Sequence, residues 1–145
     1  MENPHKFFGL MPNKELVVFF YALSVSTISG AMYGPMFDLV GNSEFFRTNM
    51  DPTKPKGLNF KNRITIKTGS TISRNVGLDV FLVFMDEIQL ERYKNQTSDN
   101  YNSLKARVKS RFMMDGGRFF NSMMILSGSP GSMSDFSEKL TAMIS

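Results

Sequence analysis

The sequence contains no cysteine and a single histidine, His5, near the N-terminus. Without cysteine the chain can form no disulfide bond and has no thiolate chemistry, and a reducing compartment is the natural expectation. One histidine cannot form a cluster of histidine metal ligands, and its position near a terminus gives no basis for a Ser-His-Asp triad. We expect His5 to be structural or incidental.

The phosphate-binding loop G-x-x-x-x-G-K-[ST] is also missing. The glycines that come nearest to such a pattern are Gly116, Gly117, Gly128 and Gly131, and none of them is followed by the required lysine. The chain therefore carries no motif of its own that would cradle the phosphates of a nucleotide.

Charge of one sign is only mildly in excess. The chain has 17 Lys and Arg against 13 Asp and Glu, a formal net charge of +4 and a pI near 9.4. This balance permits a polyanionic partner such as nucleic acid but does not demonstrate one. A length of 145 residues, 41% hydrophobic residues and 14 Phe predict one globular domain, residues 1–145, with an irregular lead-in over residues 1–14.

The longest apolar run near the N-terminus is residues 16–23, LVVFFYAL. Followed by small residues, it superficially resembles the apolar part of a signal peptide. The run is too short to span a bilayer, and Glu2 and Glu15 disrupt a cationic leader. We interpret it as an interior strand, and we expect no membrane association.

The next part of the chain is predicted to form a helix, then a loop, then a hairpin. Apolar residues between Ala31 and Val40 have helical spacing, although Gly34 and Pro35 are expected to limit or kink that helix. Residues 49–59 are predicted as loop. Residues 63–67 and 71–73 are predicted as the strands of a hairpin with a tight turn at residues 68–70.

The second half begins with a strand at residues 81–87, FLVFMDE. A polar stretch, residues 94–102, leads into an amphipathic basic helix over residues 104–112 that ends at residues 115–117. Residues 119–126 are predicted as a strand, and a last helix begins at about Ser134. This order predicts a layered α/β fold with a mostly parallel sheet.

Two of the predicted strands end in residues that can do chemistry. One ends in the adjacent carboxylates Asp86 and Glu87, and the other in Ser127, Gly128 and Ser129, followed by Pro130. Ligands in open α/β sheets bind beyond the carboxyl ends of the strands, so these ends would share a site if their strands are neighbours. The structural alternatives are a solvated strand end and a Ser-Gly turn before a helix.

The carboxylate pair suits nucleoside triphosphate hydrolysis. One carboxylate can hold a water of the Mg²⁺ shell, while the second orients and deprotonates the water that attacks the γ-phosphate. Because adjacent residues point to opposite sides of a strand, both roles require the chain to turn just after Asp86. The small polar turn at Ser127 provides a segment able to sense the phosphate and move.

The order of these segments resembles the ATPase domain of a tailed-phage terminase large subunit. In that family a strand, a helix and a hairpin containing Gly-Ser precede the Walker B strand, and a coupling motif follows on the next strand. The segments that carry the resemblance are residues 16–23, 62–67 with 69–72, 77–79, 81–87, 104–112 and 127–130.

The resemblance implies a role for each residue at the two strand ends. Asp86 would be the Walker B aspartate that holds Mg²⁺ through water, and Glu87 would be the catalytic carboxylate. Ser127, Gly128 and Ser129 would couple ATP hydrolysis to DNA movement. The resemblance transfers no role to Arg107 and Arg111. Their place on the basic helix predicts a solvated helix face, with contact to DNA or to another subunit as the alternative.

The resemblance also implies a fold and partners. The fold would be a three-layer, RecA-like P-loop ATPase with a mostly parallel sheet and a β-hairpin before the Walker B strand. Its ligands would be ATP and Mg²⁺, and its partners double-stranded DNA, the portal protein and the small terminase subunit, in the host cytoplasm. Family members carry a phosphate loop upstream and a nuclease domain downstream, so the chain is expected to be either an internal portion of such a protein or the product of a divided or truncated gene. In the second case complementary terminase fragments would be its partners.

Two other interpretations remain open at this stage. Superfamily 2 helicases also have a strand ending in DExx, followed by a strand that ends in a small polar turn with proline, and both DEIQ and LSGSP fit loosely. The other alternative is a non-catalytic α/β module that contacts DNA through its basic helix.

Overall fold

The computed structural model describes residues 4–7, 9, 13–22, 24, 26, 28–54, 57–70, 78–86, 94–114, 119–120 and 122–128. Helices occur on both sides of a central sheet. In chain order the elements are α1 (Pro4–Phe7), β1 (Leu16–Tyr21), a π-helical segment (Ile28–Tyr33), α2 (Gly34–Asn42), α3 (Glu44–Asn49), β2 (Leu58–Asn59), β3 (Ile64–Gly69), β4 (Asp79–Met85), α4 (Lys94–Phe112), β5 (Met113–Met114), β6 (Phe119–Phe120) and β7 (Met123–Leu126).

The main sheet has five strands in the order β2-β3-β1-β4-β7. β2 is antiparallel to β3, whereas the pairs β3–β1, β1–β4 and β4–β7 are all parallel. Parallel neighbours require crossover connections, which is the reason that the spatial order differs from the chain order. The prediction of an α/β fold with a mostly parallel sheet is confirmed.

β1 and β4 lie inside the sheet because, apart from Asp79 at the start of β4, their residues are apolar on both faces. The predicted strand over residues 81–87 was therefore wrong at both ends, since β4 begins at Asp79 and ends at Met85. Phe19 and Tyr21 are fully buried on one face of β1, and Phe20 is buried on the other. Strands buried on both faces appear in a sequence as continuous apolar runs rather than as alternating ones. The interpretation of the first apolar run as an interior strand is therefore confirmed, with the strand ending at Tyr21.

α4 covers one face of the sheet. Leu104, Val108 and Phe112 are buried along one side of this helix, as their four-residue spacing predicts. The helix begins at Lys94 and includes the polar residues 94–102, so the predicted start at Leu104 was wrong. Asn100 extends the buried side of α4 toward the N-terminus of the helix. The spacing of apolar residues does not reveal this position, because its side chain is a buried amide.

The opposite face is covered by the π-helical segment and α2. Met32, Tyr33 and Met36 pack against Phe20, together with Val18, Ile66 and Phe84 of the sheet. The regular α-helix begins at Gly34, with Pro35 in its first turn, and directly follows the π-helical segment. Gly34 and Pro35 therefore mark the start of the regular α-helix but do not end the helical backbone, which continues from Ile28 to Asn42.

The hairpin prediction was wrong in its position. β3 continues through Thr68 and Gly69, which pair with Phe20 and Tyr21 of β1, so no tight turn occurs at those two residues. The predicted return strand, residues 71–73, lies outside the described residues. Parallel pairing with β1 extends β3 beyond the point at which its own alternating pattern stops.

The hairpin that does form lies upstream and joins β2 to β3. The amide N–H of Phe60 donates to the carbonyl of Ile64 at 2.9 Å, and that of Arg63 donates to the carbonyl of Phe60 at 2.9 Å. Arg63 has φ of 64°, the left-handed conformation that closes this turn. The prediction of loop over residues 49–59 was therefore wrong for Leu58–Asn59, which form β2, and for Asn49, which is the last residue of α3.

Two further predictions need correction. Residues 119–126 are not one strand: β6 pairs with β5 in a separate antiparallel ribbon, and only Met123–Leu126 joins β4.

The lead-in contains the short helix Pro4–Phe7, in which His5 is buried and its Nε2 contacts the backbone carbonyl of Lys14. This contact gives His5 the structural role that was expected.

The predicted end of the basic helix at residues 115–117 and the last helix from Ser134 lie outside the described residues. In the part of the chain that is described, no helix combines the length and the apolar character needed to cross a membrane.

Candidate functional site

The carboxyl ends of β4 and β7 lie side by side. These strands are parallel neighbours, and Met85 pairs with Leu126 at their last residues. The next residues along each strand are Asp86 and Ser127. The amide N–H of Ser127 donates to the carbonyl of Met85 at 2.8 Å, which continues the pairing past the formal end of the strands. The structure therefore brings Asp86 and Ser127 to the same edge of the sheet.

Asp86 is held from its other side by β1. Its amide N–H donates to the carbonyl of Tyr21 at 3.0 Å, so the backbone at Asp86 is fixed although the strand has ended. Its side chain is half-buried, whereas Ser127 and Gly128 are exposed. This arrangement presents a carboxylate and a hydroxyl at an edge that a ligand can reach.

Tyr21 was not singled out in the sequence, yet it supports this edge twice. Besides its carbonyl, its hydroxyl accepts a hydrogen bond of 2.7 Å from Nδ2 of Asn100 in a buried position. Buried phenols need a polar partner, so a tyrosine within an apolar strand was a signal that such a partner exists. The pair ties the first half of α4 to the carboxyl end of β1.

Arg107 and Arg111 lie farther along α4 than Asn100, in the direction that leads away from the carboxyl ends of the strands. α4 runs antiparallel to the strands, because Asn100 meets Tyr21 at a strand's carboxyl end while Phe112 lies against Phe81, near the amino end of β4, with ring centroids 6.3 Å apart. At 1.5 Å per residue, the two arginines are roughly 10 and 16 Å beyond Asn100 along the helix. Arg107 is half-buried, and the structure does not bring it to Asp86.

Glu87 and Ser129 lie outside the described residues, so the described part of the site consists of Asp86, Ser127 and Gly128. Within that part of the chain there is no group of three or more His, Asp or Glu side chains that could hold a metal ion. Mg²⁺ needs few protein ligands, because it is usually held by one or two carboxylates together with water and substrate phosphates. An aspartate and a hydroxyl, both oxygen donors, are compatible with that chemistry.

A different acidic residue is fixed by lysines at the start of β1. Glu15 is hydrogen-bonded to Lys54, and its second oxygen lies 3.5 Å from Nζ of Lys67. The hydrogen bond from Lys54, followed by the charges of both lysines, lowers the pKa of Glu15 against the opposing effect of partial burial. Asp79 is buried at the amino end of β4. Neither carboxylate belongs to the edge formed by Asp86 and Ser127.

The adjacency of Asp86 and Ser127 can be tested by cross-linking, because the chain has no other cysteine to interfere. Neighbouring strands are about 4.8 Å apart, which is within the 4.4–6.8 Å that a disulfide requires between Cα atoms. The double variant Asp86→Cys/Ser127→Cys is therefore expected to form an intramolecular disulfide under mild oxidation, measured by non-reducing electrophoresis and mass spectrometry.

The matched control is the pair Asp86→Cys/Lys109→Cys, whose second position lies in the latter half of α4. It should remain reduced under the same conditions. Equal rates of oxidation in the two variants would contradict the placement of Ser127 beside Asp86.

Neither family models, nor curated proteins, nor solved structures give a match to this chain. The chemistry of the site must therefore be argued from its own residues. The carboxyl ends of parallel strands, where this chain places a carboxylate and a hydroxyl side by side, are the position at which α/β proteins bind ligands.

Proposed function

We propose that this chain forms the acidic half of an ATP-hydrolysing site in a DNA-packaging motor of the terminase large subunit type, with a RecA-like fold. The observation that carries the proposal is the adjacency of Asp86 and Ser127 at the carboxyl ends of β4 and β7. That adjacency is what a shared site for a Walker B strand and a coupling segment requires.

In this proposal each residue has one role. Asp86, fixed by the carbonyl of Tyr21, holds Mg²⁺ through a water molecule. The metal ion, when bound, neutralises charge on the phosphate oxygens. Glu87 accepts a proton from the attacking water. Ser127 and Gly128, which are exposed, and Ser129 respond to the state of the phosphate and transmit it to the rest of the motor.

The phosphate-cradling half of the site must come from another polypeptide segment. The sequence has no G-x-x-x-x-G-K-[ST] loop, so it supplies neither the lysine nor the loop amides that hold the β- and γ-phosphates. We propose that complementary terminase fragments provide that loop. Double-stranded DNA, the portal protein and the small terminase subunit are the further partners, in the host cytoplasm.

A second candidate function is DNA binding without catalysis, and the surface of α4 favours it. Lys105 and Lys109 are exposed one helical turn apart, on a helix whose other side is buried against the sheet. Such a module would bind DNA with strong salt dependence. Its affinity for DNA would not change with ATP or in the variant Asp86→Ala, whereas a motor subunit should respond to both.

The test of the proposed function is reconstitution of ATP hydrolysis. The purified chain alone is expected to turn over ATP at background rate, because it lacks the phosphate loop. Mixed with the products of the flanking genes, it should restore hydrolysis that increases further with double-stranded DNA, measured as released phosphate.

Two results would contradict the proposal. One is ATP turnover well above background by the chain alone, and the other is no turnover in any mixture. Strand separation by the active mixture, with no DNA packaging into procapsids, would favour the helicase alternative.

A further inference from the structure

An apolar cavity lies on the opposite side of the sheet from α4 and away from β7. Its volume is about 300 Å³, and it is formed by α2, α3, β3 and the turn before β3. The apolar side chains that line it include Leu39, Phe45, Phe46, Phe60, Ile64 and Ile66. The strands β4 and β7, which carry Asp86 and Ser127, contribute none of the residues that line it.

Hydrogen bonds between α3 and the turn hold the walls of this cavity in place. The amide N–H of Lys61 donates to the carbonyl of Asn49 at 2.9 Å, and Nζ of Lys61 donates to the carbonyl of Thr48 at 2.6 Å. Both acceptors lie at the C-terminal end of α3, where helical carbonyls lack partners within the helix. The turn is therefore anchored to the end of α3, and Phe60 and Asn62 are fixed as parts of the wall.

The described lining of the cavity offers a ligand no charged group. None of the lining residues that the structure describes is ionisable, and the two polar ones among them are asparagines that bond to nearby backbone. Nδ2 of Asn49 donates to the carbonyl of Phe45 at 2.7 Å, and Oδ1 of Asn62 accepts from the amide of Ile64 at 3.3 Å. A charged group placed inside the cavity would lose its hydration without a compensating partner, so the part of a ligand that enters must be neutral.

Aromatic side chains form one wall. The rings of Phe45 and Phe46 are edge-to-face, with centroids 5.4 Å apart and planes at 78°, and those of Phe46 and Phe60 are 6.0 Å apart at 60°. Aromatic rings attract one another in offset-stacked and edge-to-face arrangements, so a wall of this kind favours a further aromatic ring. Leu39, Phe45 and Phe46 remain 67%, 55% and 39% exposed, so the cavity opens to solvent between large apolar side chains.

We propose that this cavity is a binding site for a small, neutral aromatic molecule of one or two rings. An engineered apolar cavity of about 150 Å³ in another protein binds benzene, so a cavity of twice that volume accommodates a substituted ring or a fused pair. Entry of such a ligand would bury the exposed faces of Phe45 and Phe46. The site is independent of the proposed nucleotide chemistry.

Toluene is the probe, and benzoate, which has the same ring with a charged substituent, is its matched control. Binding to the full chain is measured by saturation-transfer NMR and by the shift of the thermal midpoint. Toluene should bind saturably and raise the midpoint, whereas benzoate should bind at least tenfold more weakly because its carboxylate finds no partner in the described lining of the cavity.

Three variants locate the binding. Ile64→Phe, which fills the cavity from β3, should weaken toluene binding at least tenfold, and Phe46→Ala, which removes part of the aromatic wall, at least fivefold. Phe37→Ala is the control, because Phe37 is on the same helix as Leu39 and is exposed, but does not line the cavity. It should change binding less than twofold.

Far-UV circular dichroism of each variant establishes that it is folded, and Phe46→Ala, at a partly exposed position, keeps the test valid if Ile64→Phe fails to fold. The proposal is overturned if toluene shows no saturable binding at millimolar concentration, in which case the cavity is left as a pocket for apolar side chains of a protein partner. It is equally overturned if benzoate binds as well as toluene, or if Phe46→Ala and Phe37→Ala have the same effect.

Discussion

Replacing Glu87 by glutamine is expected to lower the ATP turnover of the reconstituted assembly by at least about 100-fold, since general-base catalysis typically contributes 10²–10⁴-fold. Glutamine has nearly the same size and shape as glutamate but cannot accept the proton of the attacking water. Nucleotide affinity should change little, because Glu87 acts on the water rather than on the bound phosphates. Turnover is measured as phosphate release, and affinity with a fluorescent ATP analogue.

A comparison with two other carboxylates gives this prediction its specificity. Asp86→Ala should lose turnover to a similar extent and should also weaken the Mg²⁺ dependence of nucleotide binding, because its role is to hold the metal. Asp38→Asn removes an exposed carboxylate on α2 and should leave turnover within about twofold of the original chain. Unchanged turnover in Glu87→Gln would exclude Glu87 as the base.

The interior of the sheet could be predicted from the sequence because its signal is local. β1 and β4 are continuous apolar runs, and runs of that kind form strands buried on both faces. The spacing of Leu104, Val108 and Phe112 likewise defined the buried side of α4. In each case the residues that make the element also make its packing, so no knowledge of distant partners was required.

The elements that were wrongly predicted depend on partners elsewhere in the chain. β3 extends to Gly69 because β1 offers it a parallel partner as far as Tyr21, and nothing near Gly69 in the sequence indicates this. β2 is a strand of two residues that exists only through its pairing with β3. The first half of α4 is polar, and its position is fixed by the buried bond between Asn100 and Tyr21. These are cases in which tertiary contacts override local propensity.

The candidate site, like the fold, could be predicted from the sequence only in part. That Asp86 and Ser127 follow apolar strands could be seen in the sequence, and the rule for parallel sheets places such residues at one edge. Their adjacency depended on β4 and β7 being neighbours, which only the structure gives. The support from Tyr21 and the distance of Arg107 from Asp86 depend on the direction of α4, which the sequence pattern does not specify.

Phe19→Ala is expected to destabilise the protein more than any single change at its surface. Phe19 lies in β1, the central strand of the sheet, and is fully buried among residues of β4 and α4. Removing a buried phenylalanine side chain typically costs about 3–5 kcal/mol, because it loses the transfer free energy and leaves a cavity. Since the free energy of unfolding of a domain is only about 5–15 kcal/mol, this loss removes a large part of the stability of the protein.

The free energy of unfolding is measured by urea titration with far-UV circular dichroism, in parallel with Phe37→Ala. Phe37 is 43% exposed and contacts Tyr33 at 6.2 Å between ring centroids, so its truncation should cost less than about 1 kcal/mol. A cost for Phe19→Ala no larger than that of Phe37→Ala would contradict the placement of β1 at the centre of the core.

The same substitution also tests how the core supports the candidate site. Phe19 precedes Tyr21 by two residues, and the carbonyl of Tyr21 fixes the backbone of Asp86. If packing of β1 holds that edge in place, adding Phe19→Ala to Asp86→Cys/Ser127→Cys should slow disulfide formation even in dilute urea, where the folded fraction is still high. If the rate follows the folded fraction alone, the edge is held by local pairing of β4 with β7 and not by the core beneath it.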